Sequence, residues 1–121
     1  MSDLLIVEDD PALRDFLHQA LARTSLSFRM AGNGARAIRL ARERWPAALL
    51  LDLTLPGRWD GWQVWETLDA EAAGRSLNVI LFAGELTGAD QERAAQMGAR
   101  AILLKPVQLA ELLATLHCTV R

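Results

Sequence analysis

The sequence predicts an α/β domain with a doubly wound parallel sheet, in which five strands alternate with five helices. Two observations support this prediction. Short apolar segments recur along the 121 residues, and each is followed by a stretch whose apolar residues are spaced three and four positions apart. The connections between these segments are short and contain glycine, proline or aspartate. Such alternation is typical of a parallel sheet covered by helices on both faces.

The strands are predicted from two patterns. A short apolar run bounded by turn residues is typical of a strand buried on both faces, whereas alternation is typical of a half-exposed edge strand. The apolar runs cover residues 4–7, 48–51, 79–83 and 101–104, and the alternating segment covers residues 26–30. With the second strand at an edge and right-handed crossovers, the strand order 2-1-3-4-5 of a flavodoxin-like (βα)5 sheet fits best.

The helices are predicted from their apolar stripes and from the residues at their ends. Asp10, which precedes a proline, is expected to cap the first helix, and Asp60 is expected to cap the third. The apolar spacing of the second helix extends to Trp45, where Pro46 stops it. Gly98 is expected to end the fourth helix.

Composition limits the classes of function. Thirteen Lys and Arg against fifteen Asp and Glu give a net charge of -2, which does not indicate a nucleic-acid-binding surface. The single cysteine, Cys118, cannot form an internal disulfide and is interpreted as a small apolar residue. The sequence shows neither a signal peptide nor an apolar run of membrane-spanning length. We therefore expect residues 1–121 to form a single soluble, cytoplasmic domain.

Four charged side chains are predicted to meet at the carboxyl edge of the sheet, where ligands bind in open α/β folds. Glu8 and Asp9 follow the first strand, Asp52 follows the third, and Lys105 follows the fifth. Neighbouring carboxylates repel one another unless a cation intervenes, and such hard oxygen ligands suit Mg²⁺. A lysine ammonium there can neutralise a carboxylate or hold a phosphoryl oxygen. Taken alone, Asp52 fits equally well as a solvated residue that opens a turn.

With these residues in this order, the chain resembles the receiver domain of two-component response regulators over essentially its whole length. The matching segments are residues 4–11, 52–57, 60–61 and 104–106. The resemblance implies a signalling domain that is not an enzyme, with at most weak autophosphorylation or autodephosphorylation activity. It implies a sensor histidine kinase or a histidine phosphotransfer protein as partner. It also implies output through a downstream protein, or through a homodimer formed by helix 4, strand 5 and helix 5.

The resemblance also implies a role for each residue of the site. Asp52 is expected to be the phosphoacceptor, which attacks a phosphohistidine or a small phosphodonor and becomes an acyl phosphate. Asp9 is expected to bind Mg²⁺ directly and Glu8 mostly through water, while Asp52 and the backbone carbonyl of Thr54 complete the protein ligands. Lys105 is expected to contact the phosphoryl group, and its bond to the following proline is expected to be cis.

The sequence departs from the family pattern at two positions that form the usual conformational switch. Receivers usually carry Ser or Thr at the end of the fourth strand and an aromatic residue in the fifth. Here these positions hold Ala83 and Ile102. Thr87 is a doubtful substitute for the missing hydroxyl because of its spacing. The phosphorylation chemistry is therefore expected to be intact, whereas the usual readout is not.

Three other interpretations remain open. The chain is alternatively a pseudo-receiver, which keeps the acids but signals without phosphorylation. A phosphatase with an aspartate nucleophile usually has a second acid two residues after it, and this chain has Thr54 there. A flavin-binding protein would need a phosphate-cradling loop after the first strand, where this chain carries acids that repel phosphate.

Three tryptophans cluster near the start of the third helix. Trp65 shares the apolar stripe of that helix, so we interpret it as a core residue. Trp59 and Trp62 are either an exposed surface for a partner or packing over the preceding loop.

Overall fold

The computed structural model describes residues 3–55 and 59–119. The sequence Pro56-Gly57 after the third apolar run predicts a turn, and it lies outside these ranges. The strands are β1 (Asp3–Val7), β2 (Ser27–Ala31), β3 (Ala48–Asp52), β4 (Asn78–Ala83) and β5 (Ala101–Leu104). They form a five-stranded parallel sheet in the order β2-β1-β3-β4-β5, so the predicted flavodoxin-like order is confirmed.

A helix follows each strand, as the alternating pattern predicts. The helices are α1 (Pro11–Ala22), α2 (Gly34–Glu43), α3 (Gly61–Glu71), α4 (Gly88–Met97) and α5 (Leu109–Thr119). Within the described ranges, no helix combines the length and the apolar character needed to cross a membrane.

The sheet separates two hydrophobic clusters. Because side chains alternate along a strand, Leu5 and Val7 of β1 belong to one cluster and Leu4 and Ile6 belong to the other. The first cluster contains residues of α2, α3 and α4, and the second contains residues of α1 and α5. Trp65 is 1% exposed in the first cluster, so its predicted core role is confirmed. A fully buried leucine or isoleucine contributes about 1.5–3 kcal/mol, and this two-sided burial fixes the central strands.

The register of the strands determines which residues meet at the carboxyl edge. Val7 of β1 pairs with Leu51 of β3, so the next residues, Glu8 and Asp52, lie at the same level of the sheet. The last residue of β5 pairs with the last residue of β4, which places Lys105 at the same edge. Parallel pairing therefore assembles the predicted site from distant parts of the sequence.

The predicted helix ends are confirmed at three positions. The side chain of Asp10 accepts a hydrogen bond from the backbone N–H of Ala12 at 3.0 Å. Asp60 and Gln63 form a capping box, in which each side chain accepts the backbone N–H of the other at 2.9 Å. Gly98 ends α4 in the left-handed conformation, with φ of 85°.

The predicted extent of the second helix is wrong at its C-terminal end. The helix ends at Glu43, and Arg44 is extended with φ of -153°. Trp45 therefore lies outside the helix, and its indole N–H donates to the carbonyl oxygen of Ser76 at 3.0 Å. Pro46 explains why Trp45 is excluded from the helix, because a residue before proline is biased away from the helical conformation.

Gly61 lies where α3 approaches β3 most closely. A Cβ atom at this position would lie 2.5 Å from the carbonyl oxygen of Asp52 and 2.5 Å from the Cα of Leu53, which are backbone atoms. We expect Gly61→Ala to lower the free energy of unfolding by about 1–3 kcal/mol, because the helix must move away. Urea denaturation measures this change.

Gly88→Ala is the matched control for this prediction. Among the described residues, no heavy atom lies within 4 Å of a Cβ built at Gly88, so the change should alter stability by less than about 1 kcal/mol. An equal loss of stability in both variants would contradict the close-packing explanation for Gly61.

Candidate functional site

The structure brings together the three acids that the sequence predicts at the sheet edge. Oxygen atoms of Glu8, Asp9 and Asp52 that can bind a metal lie within 4.8 Å of one another. Glu8 and Asp52 are buried, with 1% and 2% of their surfaces exposed, whereas Asp9 is half-buried. Two carboxylates thus lie inside the fold while the third borders on solvent.

Lys105 lies against the two buried acids. Its Nζ atom is 2.8 Å from Oε1 of Glu8 and 3.2 Å from Oδ2 of Asp52. The backbone N–H of Lys105 donates to the carbonyl oxygen of Ala83 at 2.8 Å, which holds the residue at the end of β5. The bond to Pro106 is cis, as the resemblance implies. The predicted lysine therefore reaches the predicted nucleophile.

The environment of Asp52 changes its acidity. Burial raises the pKa of Asp52 to about 7, the backbone N–H of Thr54 opposes this rise, and the neighbouring Glu8 carboxylate adds to it. The hydrogen bond from Thr54 to Oδ1 of Asp52 measures 3.0 Å. Partial burial lowers the pKa of Lys105, but its contacts with Glu8 and Asp52 outweigh this effect and raise that pKa overall. Two of the three carboxyl groups of the site thus share the Lys105 ammonium.

The donor atoms at this edge fit a divalent cation. Oε2 of Glu8 accepts the backbone N–H of Asp10 at 3.0 Å. Oε1 of Glu8 is buried and has no hydrogen-bond partner of suitable geometry among the described residues, although the Lys105 ammonium lies close to it. Carboxylate oxygens are the ligands that Mg²⁺ prefers in proteins. The three predicted carboxylate ligands are thus near enough to share one ion.

The two atypical switch positions differ in their surroundings. Ala83 ends β4 and is 1% exposed, and it offers no hydroxyl group to the site. Ile102 lies on β5, the edge strand, with 38% of its surface exposed, and Leu104 on the same strand is 54% exposed. The hydroxyl oxygen of Thr87 accepts the backbone N–H of Asp90 at 3.0 Å as the cap of α4. Thr87 therefore serves as the N-cap of α4 in this structure.

The other tryptophans pack against the core. Trp62 stacks on Trp65, with ring centroids 5.9 Å apart, and the guanidinium of Arg93 lies 4.4 Å from the centroid of a Trp62 ring. Trp59 is half-buried and lies so near Gly34 that a Cβ atom there would collide with it. These contacts favour packing over the interpretation of Trp59 and Trp62 as an exposed partner surface.

One residue of the site does not emerge from the sequence pattern. Arg14 lies in the first turn of α1, and its Nη1 atom donates to the carbonyl oxygens of Glu8 and Asp9. The sequence offers one clue to this contact, because long side chains on a helix point back toward its N-terminus. For Arg14 that direction is the loop that carries the acids.

Known proteins similar to this chain share both its sequence pattern and its fold. A family model described as the response regulator receiver domain matches residues 4–117. Response regulator MprA of Mycobacterium leprae (strain TN) is 30% identical over 118 residues, which are 98% of this chain and 50% of that protein. A relative of the same name from Mycobacterium avium (strain 104) shows the same identity and coverage. The chain thus spans about half the length of the curated relatives it matches.

Solved structures agree with this match. The chemotaxis protein CheY4 of Vibrio cholerae superposes with a TM-score of 0.89 over 98% of both chains, and at 19% identity it shows the fold alone. The signal receiver domain of a modulated diguanylate cyclase from Desulfovibrio desulfuricans G20 has a TM-score of 0.83 and 26% identity, over 99% of this chain and 94% of that one. The chain therefore belongs to the receiver-domain family of two-component response regulators.

Proposed function

We propose that Asp52 is the phosphoacceptor of this receiver domain and that its phosphorylation depends on Mg²⁺. One observation carries the proposal. A carboxylate that is only 2% exposed lies 3.2 Å from the Lys105 ammonium and beside two further acids, at the ligand-binding edge of a parallel sheet. Burying several acids together is unfavourable unless a cation accompanies them, so this arrangement indicates a function rather than a gain in stability.

In the proposed reaction, a carboxylate oxygen of Asp52 attacks the phosphorus atom of the donor. The new bond joins that oxygen to phosphorus, while the bond from phosphorus to the histidine nitrogen, or to the oxygen of a small donor, breaks. An aspartyl phosphate forms as an acyl phosphate. Phosphoryl transfer requires mainly positioning and charge neutralisation, and Lys105 supplies one positive charge at the acceptor. Its contact with Asp52 would pass to a phosphoryl oxygen.

Four residues would hold the metal ion. Asp9 would bind it directly and Glu8 mostly through water, and Asp52 and the carbonyl of Thr54 would complete the protein ligands. When bound, Mg²⁺ supplies Lewis-acid neutralisation of the negative charge on the phosphoryl oxygens. The carboxylate cluster supports this assignment.

Receiver domains are signalling modules rather than enzymes in general, and they interact with histidine kinases or phosphotransfer proteins. The finer assignments belong to the proposal. Residues 1–121 would form one cytoplasmic receiver domain, with at most weak autophosphorylation or autodephosphorylation activity. The domain would transmit its signal by binding a downstream protein, or by forming a homodimer through α4, β5 and α5. The exposed Ile102 and Leu104 of β5 support such an interface.

Treatment with acetyl phosphate and Mg²⁺ tests the proposal by intact mass. Wild type should gain the mass of one phosphoryl group, and Asp52→Asn should gain none. Asp60→Asn is the matched control, because it removes a carboxylate that caps α3 outside the acid cluster. An adduct that persists in Asp52→Asn would refute the assignment of the phosphoacceptor.

A pseudo-receiver is the second candidate function, and the switch positions favour it. Ala83 has no hydroxyl group, and Ile102 is exposed and has no aromatic ring to turn inward. In this alternative the domain would bind its partner without phosphorylation. The complete set of Glu8, Asp9, Asp52 and Lys105 disfavours it, since a module without phosphorylation has no need of buried acids.

We expect phosphorylation to shift the conformation of this domain less than is usual in the family. A hydroxyl bonded to a phosphoryl oxygen is worth about 1.5–3 kcal/mol, and Ala83 cannot supply it. Because a ligand shifts an equilibrium only by its differential interaction with the two states, the population shift should fall by about ten- to a hundredfold. Amide chemical shifts with and without beryllofluoride measure the response.

The double variant Ala83→Thr and Ile102→Tyr should enlarge this response in α4 and β5. Ile102→Tyr alone is the matched control, because it adds the ring without the hydroxyl that contacts the phosphoryl group. A large response of wild type over residues 87–110, or no gain in the double variant, would show that these positions do not limit the switch.

A further inference from the structure

Arg14 contacts the loop that carries two of the site's acids. Its Nη1 atom donates to the carbonyl oxygen of Glu8 at 3.1 Å and to that of Asp9 at 3.0 Å. Both carbonyl groups follow the last residue of β1, where the pairing with β3 has ended. A single guanidinium nitrogen thus joins the first turn of α1 to the backbone of both acidic residues.

These two hydrogen bonds are strong constraints on the loop. Backbone carbonyl groups that lack a partner are costly when they are buried, and a charged donor makes a stronger hydrogen bond than a neutral one. The backbone position of Glu8 and Asp9, and with it the direction of their carboxylates, therefore depends on Arg14.

Gly32 leaves the space that the guanidinium occupies. A Cβ atom at this position would lie 2.9 Å from Nη1 and 3.5 Å from Cζ of Arg14. Gly32 follows β2, and the neighbouring carbonyl of Ala31 accepts the backbone N–H of Glu8 at 3.0 Å. The loop after β1 is therefore held from two sides, by Arg14 and by the end of β2.

We propose that Arg14 is a positioning residue for the metal site and that Gly32 provides the space this role requires. The inference rests on the proposed Mg²⁺ site. In this role Arg14 would touch neither the metal nor the phosphoryl group. It would act through the backbone of Glu8 and Asp9. Loss of a residue that orients a metal ligand without touching the metal typically weakens metal binding by about 10–100-fold.

The test measures the Mg²⁺ affinity of the full chain by amide chemical shifts, for wild type, Arg14→Gln, Gly32→Ala and the double variant. Arg14→Gln should weaken binding by about tenfold, and Gly32→Ala should weaken it by a smaller factor, because the guanidinium lies at the flexible end of its side chain and needs to move only slightly. The double variant should bind no more weakly than Arg14→Gln, because both changes break the same contact. Arg39→Gln is the matched control for lost charge, since Arg39 is exposed on α2, and it should keep wild-type affinity.

Gly32→Ala separates positioning from the charge of the arginine. This variant keeps the guanidinium and only displaces it, so a loss of affinity cannot arise from the removal of a positive charge. Amide hydrogen exchange without Mg²⁺ adds a second readout. The N–H of Asp10, which donates to Glu8, should exchange faster in both single variants than in wild type.

The outcomes separate this inference from the proposed function. If wild type binds Mg²⁺ and both variants bind it equally well, Arg14 has a structural role at most and the inference is overturned, while the proposed function stands. A loss of stability without a loss of affinity overturns it in the same way. If wild type binds no Mg²⁺, the proposed metal site fails and the inference fails with it.

Discussion

Replacing Asp9 with alanine should weaken Mg²⁺ binding by at least about a hundredfold. Loss of a residue that only orients a metal ligand weakens binding by up to about a hundredfold, and loss of a ligand should cost at least as much. Mg²⁺ takes only one or two carboxylates from a protein and keeps several waters, so each ligand accounts for much of the affinity. Asp9 is the half-buried member of the cluster, beside the buried Glu8 and Asp52. Titration with Mg²⁺, followed by amide chemical shifts, measures the change.

Asp10→Ala is the matched control, because it removes the same charge from the adjacent residue. The side chain of Asp10 caps α1 and is not a member of the carboxylate cluster. Its loss should therefore lower the free energy of unfolding by about 1 kcal/mol and leave the Mg²⁺ affinity close to that of wild type. An equal affinity in Asp9→Ala and wild type would remove Asp9 from the metal site.

Asp52→Asn should stabilise the metal-free protein at pH 8 by roughly 2–4 kcal/mol, since each unit of pKa shift corresponds to about 1.4 kcal/mol. Burial raises the pKa of Asp52 to about 7 from a usual value of 3.8. At pH 8 the folded wild type must therefore hold a buried charge that asparagine does not carry. Urea denaturation in the presence of a chelator measures this difference.

The difference should depend on pH with a definite sign. Below about pH 4 the carboxyl group is protonated in the folded and in the unfolded chain, so it contributes no difference. Between pH 4 and pH 7 the unfolded chain has released its proton and the folded chain has not, so the stability of wild type falls as the pH rises. The penalty is complete about one pH unit above the folded-state pKa, near pH 8. A gain for Asp52→Asn that is equal at pH 4 and pH 8 would contradict the raised pKa.

The carboxyl-edge cluster is predictable from sequence because it follows from strand order alone. Glu8 and Asp52 each come directly after a central apolar run, and parallel strands end at one edge of the sheet. Neighbouring strands then bring the acids together whatever the lengths of the intervening helices. Lys105 follows the same rule at the end of β5.

Contacts that depend on tertiary packing are not predictable in this way. Arg14 bonds to backbone carbonyl groups, and a sequence pattern shows only a charged residue in the first turn of a helix. Trp45 continues the apolar spacing of α2, but the chain has already become extended at Arg44. The packing of Trp59 against Gly34 joins the segment before α3 to the first residue of α2, and no local pattern relates these two positions.

Borohydride reduction after treatment with acetyl phosphate and Mg²⁺ tests whether Asp52 is the phosphoacceptor. Reduction converts an aspartyl phosphate to homoserine, so peptide mass analysis identifies the modified residue. We expect homoserine at position 52 in wild type, and none when Mg²⁺ is replaced by a chelator. Homoserine at another aspartate, or unmodified Asp52 under phosphorylating conditions, would contradict it.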